Sequence, residues 1–177
     1  APFAGYRMPT QYSLGVKGEH LHTRDAVGLF DVSHMGQLLI QGPASTEVLE
    51  RLIPAALQEM MPGQIRYSQL TLDTGGILDD LMLTRWDTDI WGLVVNGACK
   101  HADMAHFNAH LPDAVNMTYI DDHALIAIQG PQARLALSRI IPEAQDLLFM
   151  RSLKTSWKGC DITLSCCGYT GEDGYEV

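Results

Sequence analysis

Basic residues are scarce in this sequence. Its 177 residues include 12 lysines and arginines against 21 aspartates and glutamates, which gives a formal net charge of -9 at pH 7. Binding to the phosphates of a nucleic acid requires clustered Lys and Arg side chains. The composition therefore argues against a nucleic-acid-binding protein.

Long apolar runs and closely paired cysteines are missing as well. No apolar stretch approaches the ~20 residues that a membrane-spanning helix needs, so we expect no membrane association. Cys99, Cys160, Cys166 and Cys167 contain no C-x-x-C pair, and neighbouring strand residues point to opposite faces. We expect free thiols in a reducing compartment.

Histidine spacings offer no metal site. His20 and His22, at i and i+2 on a predicted helix, diverge by about 200° and cannot share an ion. His106 and His110 are spaced i, i+4, but no Cys or carboxylate completes that pair in the sequence. We predict no metal.

A repeat organises the chain. Residues 40–43, Ile-Gln-Gly-Pro, recur at residues 128–131, and four residues of the following segment recur at the same offset of 88: Leu49, Arg51, Ile53 and Pro54 as Leu137, Arg139, Ile141 and Pro142. Each copy predicts a strand, a turn and an amphipathic helix stopped by proline, the second helix over 132–141. We predict an α+β fold of two duplicated strand-helix-antiparallel-meander units, about 29–115 and 120–177, the second incomplete.

Two adjacent carboxylates interrupt an apolar strand. Gly75-Gly76 closes a turn, and residues 77–84 predict the returning strand of a hairpin, with Asp79 and Asp80 in its middle. An ionised carboxylate out of water must be paired, so the placement indicates a functional site as readily as a solvated hairpin end. Because side chains alternate along a strand, only one of the two faces a given pocket.

Residues 168–174, Gly-Tyr-Thr-Gly-Glu-Asp-Gly, predict a tight loop shaped by its backbone. Tyr169 and the nearby Glu176 can line a pocket. The loop lacks Gly-Lys-Ser/Thr, and Glu172 and Asp173 would repel phosphate, so it is not a phosphate-binding loop.

Seven segments occur in an order typical of one family: Pro9-x-Gln11-Tyr12, residues 20–24, 29–35 and 75–81, Val94-Val95-Asn96-x-Ala98, and residues 129–131 and 168–174. Together they closely resemble the T-protein of the glycine cleavage system, the aminomethyltransferase. The resemblance covers nearly the whole chain. It implies that residues 1–177 are an N-terminal fragment, a folate-binding domain lacking the family's C-terminal β-barrel, and we expect the fragment alone to be inactive.

The resemblance also implies a reaction. The family transfers the aminomethyl carbon from the lipoyl arm of the H-protein to tetrahydrofolate and releases ammonia, in the bacterial cytoplasm or the mitochondrial matrix. It makes tetrahydrofolate the expected acceptor and lipoylated H-protein the expected partner. The family's key acid matches Asp80, and its folate site matches Tyr67, Asp80, Asn96, Tyr169 and Glu176.

These residue types suit a folate. A pterin is a flat ring with an amide-like edge, so an aromatic wall of Tyr67 or Tyr169 and an acceptor such as Glu176 can hold it. An ionised Asp80 can position the nucleophilic nitrogen and stabilise the iminium-like cation that forms as ammonia leaves. Without the resemblance, packing or turn formation would be the preferred explanation of Tyr67 and Asn96. Glu176, on the last strand, is expected to fray.

Two alternatives remain open. Related domains of the fold demethylate sarcosine, dimethylglycine or dimethylsulfoniopropionate with folate as acceptor. A non-enzymatic folate-binding protein of iron-sulfur cluster assembly carries a Lys-Gly-Cys-aromatic-x-Gly-Gln-Glu loop, whereas Lys158-Gly159-Cys160 is followed here by Asp161.

Overall fold

The computed structural model describes all residues, 1–177. The chain folds into two compact units, one of residues 34–123 and one of residues 1–33 with 124–177. The elements in chain order are β1 (Pro2–Phe3), β2 (Tyr6–Arg7), α1 (Gly15–Asp25), β3 (Gly28–Asp31), β4 (Gly36–Gln41), α2 (Ser45–Leu52), β5 (Ile65–Thr71), β6 (Ile77–Asp87), β7 (Ile90–Val95), α3 (Lys100–His110), β8 (Asn116–Ile120), β9 (Ile126–Gln129), α4 (Ala133–Leu137), β10 (Arg151–Trp157), β11 (Cys160–Cys166) and β12 (Gly174–Glu176).

The unit of residues 34–123 is built on a five-stranded antiparallel sheet in the order β5-β6-β7-β4-β8. Alternate residues of β4 are buried, and they pack with Leu49 of α2 and Phe107 of α3 in one core. Trp91 is fully buried there, and its indole N–H donates to Oγ1 of Thr46 at 3.1 Å. The core therefore lies between this sheet and the two helices.

The predicted hairpin is confirmed. Gly75 adopts the left-handed region, with φ 83°, which glycine enters without steric cost. The amide of Gly75 donates to Leu72 at 2.8 Å, and that of Leu72 donates to Gly76 at 2.9 Å. A bulge between Leu70 and Thr71 shifts the register just before Asp79.

The unit of residues 1–33 and 124–177 has a sheet in the order β10-β11-β12-β9-β3. Tyr175 of β12 is fully buried against Leu137 and Leu164. Its hydroxyl donates to the carbonyl of Ala144, at 2.8 Å, in a 3-10 helix at Pro142–Gln145. The guanidinium of Arg134 lies 5.5 Å from the ring centre of Tyr175, a distance typical of a cation–π contact.

The two sheets have the same internal order. In each, the strand that begins the repeat, β4 or β9, lies between the last meander strand and a separate edge strand, β8 or β3. Gly42 and Gly130 share nearly the same φ, 135° and 131°, and each carbonyl accepts from the third residue on, at 3.0 Å and 2.9 Å. This agreement is what duplication would produce, and the duplication itself stays a prediction.

The helix predicted over 132–141 is shorter than expected. α4 ends at Leu137, and Ile141 is extended, with φ -130° and ψ 90°. The residue before a proline is disfavoured in the helical region, because the proline ring crowds its backbone. Ile53, before Pro54, is extended in the same way. None of the helices has the length and apolar character required to cross a bilayer.

Candidate functional site

Asn96 joins the two carboxylates of β6. It follows the last residue of β7, and its backbone carbonyl accepts from Cys99 and Lys100 at the start of α3. Its Nδ2 lies 3.0 Å from Oδ1 of Asp80, 3.1 Å from the carbonyl of Asp80 and 3.1 Å from Oδ1 of Asp79. One side-chain amide therefore contacts both carboxyl groups.

Tyr67 lies beside Asp80 on one face of the sheet. Tyr67 of β5 pairs with Met82, two residues from Asp80 on the same face of β6. A hydrogen bond to Asp80, followed by desolvation, raises the pKa of Tyr67. The tyrosine is 47% exposed, so an accessible aromatic ring stands next to a carboxylate held by two donors.

Asp79 faces the opposite way, towards the core. It pairs with the fully buried Leu70, and its carboxyl group interacts with that of Asp103 of α3. Asp103 is 0% exposed. Burial, followed by hydrogen bonding with Asp79 and the charge of Asp79, raises the pKa of Asp103 to about 7. Burial and the charges of Asp79 and Asp103 likewise raise the pKa of Cys99.

The sequence reasoning missed Asp103 and Cys99, and it treated Asp79 and Asp80 as independent. Alternation does put the two aspartates on opposite faces, but Asn96, at the end of the neighbouring strand, reaches both. A signal for Asp103 was available, because it precedes the buried Phe107 by one helical turn and so lies on the apolar face of α3.

In the other unit, the glycine-rich loop wraps around Gln129. This side chain is 2% exposed; its Nε2 donates to the carbonyls of Cys167 and Tyr175, at 3.0 Å and 3.3 Å, and its Oε1 accepts from Thr170 at 3.0 Å. A Cβ at Gly168 would lie 1.9 Å from Gln129, and one at Gly174 2.2 Å. Both glycines are therefore required by the buried amide.

Arg24 of α1 fixes the outer side of the same loop. Its Nη1 donates to the carbonyl of Thr170 at 2.5 Å, and its Nη2 lies 3.0 Å from the carboxylate of Glu172. Tyr169, between these anchored residues and Gly168, remains 64% exposed. The loop thus presents an aromatic ring from a backbone held on both sides.

Glu176 lies on a strand that is paired on both sides. It pairs with Ser165 on one side and Ala127 on the other, and Val177 exchanges two backbone hydrogen bonds with Ile126, at 2.8 Å and 2.9 Å. The strand is thus hydrogen-bonded on both of its edges, and fraying in solution stays a prediction. Burial raises the pKa of Glu176, although a hydrogen bond with Cys167 opposes the shift.

The five residues of the expected folate site divide between the two units. Tyr67, Asp80 and Asn96 come together in the unit of residues 34–123, and Tyr169 and Glu176 lie in the other. No group of three or more His, Cys, Asp or Glu side chains is arranged to hold a metal ion.

Comparisons with known proteins agree with one another. The family model described as GCVT N-terminal domain matches residues 1–177. Aminomethyltransferase, mitochondrial, of Dictyostelium discoideum is 40% identical over 99% of this chain and 46% of its own length. Aminomethyltransferase of Chlorobium chlorochromatii is 36% identical over 99% of this chain and 49% of its own length.

Solved structures also match this chain. The glycine cleavage system aminomethyltransferase T from Bartonella henselae superposes with a TM-score of 0.93 at 40% identity, covering 99% of this chain and 48% of that one. Heterotetrameric sarcosine oxidase from Corynebacterium sp. U-96 superposes at 0.56 with 14% identity over 95% of this chain and 86% of that one, which indicates a shared fold. The chain spans about half the length of the curated relatives it matches. With its whole length matched by the family model, the chain belongs to the GCVT N-terminal domain family.

Proposed function

We propose that this chain is the folate-binding part of an aminomethyltransferase of the glycine cleavage system. The observation that carries the proposal is the environment of Asp80. Its carboxylate is hydrogen-bonded to the amide of Asn96 and to Tyr67, whose aromatic ring is exposed. Membership of the GCVT family supports the same reaction. The reaction moves an aminomethyl carbon from the lipoyl arm of the H-protein to tetrahydrofolate, with release of ammonia.

Each unit carries residues that suit a folate chemically. The exposed rings of Tyr67 and Tyr169 can stack on a pterin, and the carboxylate of Glu176 can accept from its amide-like edge. Arg24 and Gln129 hold the loop that carries Tyr169. Tetrahydrofolate itself supplies the amine that receives the carbon.

Asp80 acts through its charge. The amide of Asn96 and the hydroxyl of Tyr67 fix the orientation of its carboxylate. A fixed negative charge stabilises the positive charge that develops on the aminomethyl group as ammonia leaves, and it costs no reorganisation at that moment. We assign Asp80 this electrostatic role, with Asn96 and Tyr67 as residues that touch both it and the folate.

Several features of the whole protein belong to the same proposal. Lipoylated H-protein is the donor and partner. The two units arose by duplication, which the identical strand orders of their sheets support. Residues 1–177 span about half the length of the relatives and do not include the family's C-terminal β-barrel. The protein works in the mitochondrial matrix or the bacterial cytoplasm, as the relatives include mitochondrial and bacterial forms.

The test is ammonia release from aminomethylated H-protein by the full-length protein, with and without tetrahydrofolate. We expect tetrahydrofolate-dependent release that is lost in Asp80→Asn and retained in Asp73→Asn, a control in the Leu72–Gly76 turn preceding β6. Folate-dependent demethylation of sarcosine or dimethylglycine without ammonia release would favour a demethylase. Folate binding without either turnover would favour a binding protein.

A further inference from the structure

A second pair of carboxyl groups lies behind Asp80, between β6 and α3. Oδ2 of Asp79 and both carboxyl oxygens of Asp103 are buried, and no N–H or hydroxyl group of the protein donates to them. Asp79 raises the pKa of Asp103 through a hydrogen bond and through its charge, which puts the two side chains in contact. An ionised Asp103 would be a buried carboxylate without a donor next to the charge of Asp79, and this arrangement favours the neutral acid. The pair therefore holds a proton below the raised pKa of Asp103, about 7.

The surroundings decide which residue carries that proton. Oδ1 of Asp79 already accepts from Asn96 at 3.1 Å, and Asp79 also forms a hydrogen bond with the thiol of Cys99. Asp103 is fully buried and has no such donor. Donors stabilise an ionised carboxylate and burial without donors favours the neutral acid, so the proton belongs on Asp103.

The titratable and polar groups nearest the pair lie on or next to four elements. β6 contributes Asp80 and β5 contributes Tyr67, which bonds to Asp80. Asn96 follows β7 and is uncharged, and Cys99 begins α3. The ammonium of Lys100, the next residue of α3, donates to the carbonyl of His34 at 3.2 Å. The charge of Asp79 contributes to the raised pKa of Asp103.

We propose that Asp103 is protonated in the folded protein and donates to Asp79, and that the two together are a positioning pair that holds Asn96, and through it the carboxyl group of Asp80. This inference rests on the proposed function only for its effect on the rate of ammonia release. The amide of Asn96 has two hydrogens and three acceptors, of which Asp79 supplies one and Asp80 two. The proton on Asp103 spreads the charge of Asp79, which leaves Asn96 shared between the aspartates.

Loss of the proton from Asp103 changes how the amide of Asn96 is shared between Asp79 and Asp80. A second ionised carboxylate next to Asp79 raises the negative potential at Oδ1, so Asp79 competes more strongly for the amide of Asn96. Asp80 then loses a donor and is less firmly oriented. The raised pKa of Asp103, about 7, puts this change within the range where such an enzyme works.

The proton can be detected directly in the folded protein. We expect the wild type to show an infrared carbonyl band of a protonated carboxyl group that disappears near pH 7. That component should be missing from Asp103→Asn, whose other carboxyl groups give a band only at lower pH. In Asp79→Asn, Asp103 no longer faces a carboxylate, and the band should disappear at a lower pH. A wild-type spectrum identical to that of Asp103→Asn at every pH would overturn the protonation.

Positioning of Asp80 has its own readout. The bond from Tyr67 to Asp80 is the largest cause of the raised pKa of Tyr67, and the ultraviolet titration of that phenol is isolated by subtracting a Tyr67→Phe spectrum. Asp103→Asn keeps a donor to Asp79, and Asp103→Leu has similar volume without one. The phenol of Tyr67 titrates above its ordinary value of 10.0, where Asp103 of the wild type is ionised. We therefore expect the pKa of Tyr67 to be higher in Asp103→Asn, which keeps its donor at every pH, than in the wild type or in Asp103→Leu. Identical titrations in all three proteins would refute the positioning role.

Kinetics of the full-length enzyme give the last comparison. We expect Asp103→Leu to lower kcat about ten- to hundredfold with KM for tetrahydrofolate within about threefold, because a misplaced catalytic group costs rate more than binding. Asp103→Asn should keep kcat within about threefold and lose any pH dependence near 7. Equal losses in both variants would count against the pair. Absence of ammonia release in the wild type would defeat the proposed function and leave the infrared and tyrosine results to decide this inference.

Discussion

Nδ2 of Asn96 lies 3.0 Å from Oδ1 of Asp80 and 3.1 Å from the backbone carbonyl of the same residue. A side chain at the end of β7 thus holds both the backbone and the carboxyl group of a residue in β6. Because the backbone of Asn96 is itself fixed by the first amides of α3, three elements determine where the carboxylate of Asp80 points.

Asp80→Asn keeps the size of the side chain and removes its negative charge. An electrostatic group of this kind is typically worth ~3 kcal/mol of activation free energy, so we expect ammonia release to fall about a hundredfold or more. The Kd for tetrahydrofolate should change by only a few-fold. Steady-state kinetics and folate titration of the full-length protein measure the two effects, and an equal loss in rate and affinity would contradict the electrostatic role.

Asp79→Asn tests whether Asp79 and Asp80 have different roles in the reaction. From alternation alone we would expect it to act through stability and to change the rate only a few-fold. The shared amide of Asn96 adds a route from Asp79 to Asp80, so its effect on rate should lie between those of Asp73→Asn and Asp80→Asn. A rate loss larger than that of Asp80→Asn would show that the wrong aspartate was assigned.

Asn96→Asp replaces the shared donor with a third carboxylate. Acceptors left without a donor and like charges in contact each destabilise a folded protein, and we expect the free energy of unfolding to fall by about 2–3 kcal/mol at neutral pH. The loss should shrink as the pH is lowered, because protonation relieves the repulsion. Denaturant unfolding across pH measures it. Asn96→Ala, which removes the donor without adding charge, should show a smaller and less pH-dependent loss.

Much of this arrangement could be predicted from local patterns. Gly75-Gly76 and the apolar run after it predicted the β5–β6 hairpin, because turn chemistry and alternation act between near neighbours. The contact of Asp79 with Asp103 could not be predicted in this way, since it joins a strand to a helix across the core. The extent of α4 was overestimated because the extended conformation of Ile141 before Pro142 outweighs the amphipathic pattern.

Gly168→Ala tests the role of the buried amide in shaping the loop. The new Cβ would lie 1.9 Å from Oε1 of Gln129, whose side chain is held at both ends by hydrogen bonds. We expect a loss of about 3 kcal/mol or more in unfolding free energy, or failure to fold. Gly76→Ala is the matched control, with 3.7 Å to its nearest atom, and should stay within about 1 kcal/mol of wild type. Similar melting temperatures for the two variants would exclude the steric explanation.

Thiol reactivity should separate the four cysteines. Cys160 is exposed, whereas Cys166 and Cys167 are buried and burial raises the pKa of both. The thiolate is the reactive form, so iodoacetamide should modify Cys160 first in the native protein, Cys99 more slowly and the buried pair last. Peptide mass spectrometry over a time course measures the order. In denaturant all four should react at similar rates, and early native labelling of Cys167 would contradict the packing of β11 and the loop after it.

The buried acid Asp103 should give stability a pH dependence of known sign. Its pKa rises from an ordinary 3.8 to about 7 in the folded protein, so between these values the folded state binds more protons than the unfolded state. Raising the pH through this window therefore lowers the free energy of unfolding, by at most about 1.4 kcal/mol per pH unit, and the contribution is lost above the folded pKa. Asp103→Asn cannot titrate, so it should be more stable relative to wild type at pH 8 than at pH 5. Urea unfolding of both proteins at several pH values measures the difference, and parallel stability curves across the window would show that Asp103 is ionised throughout.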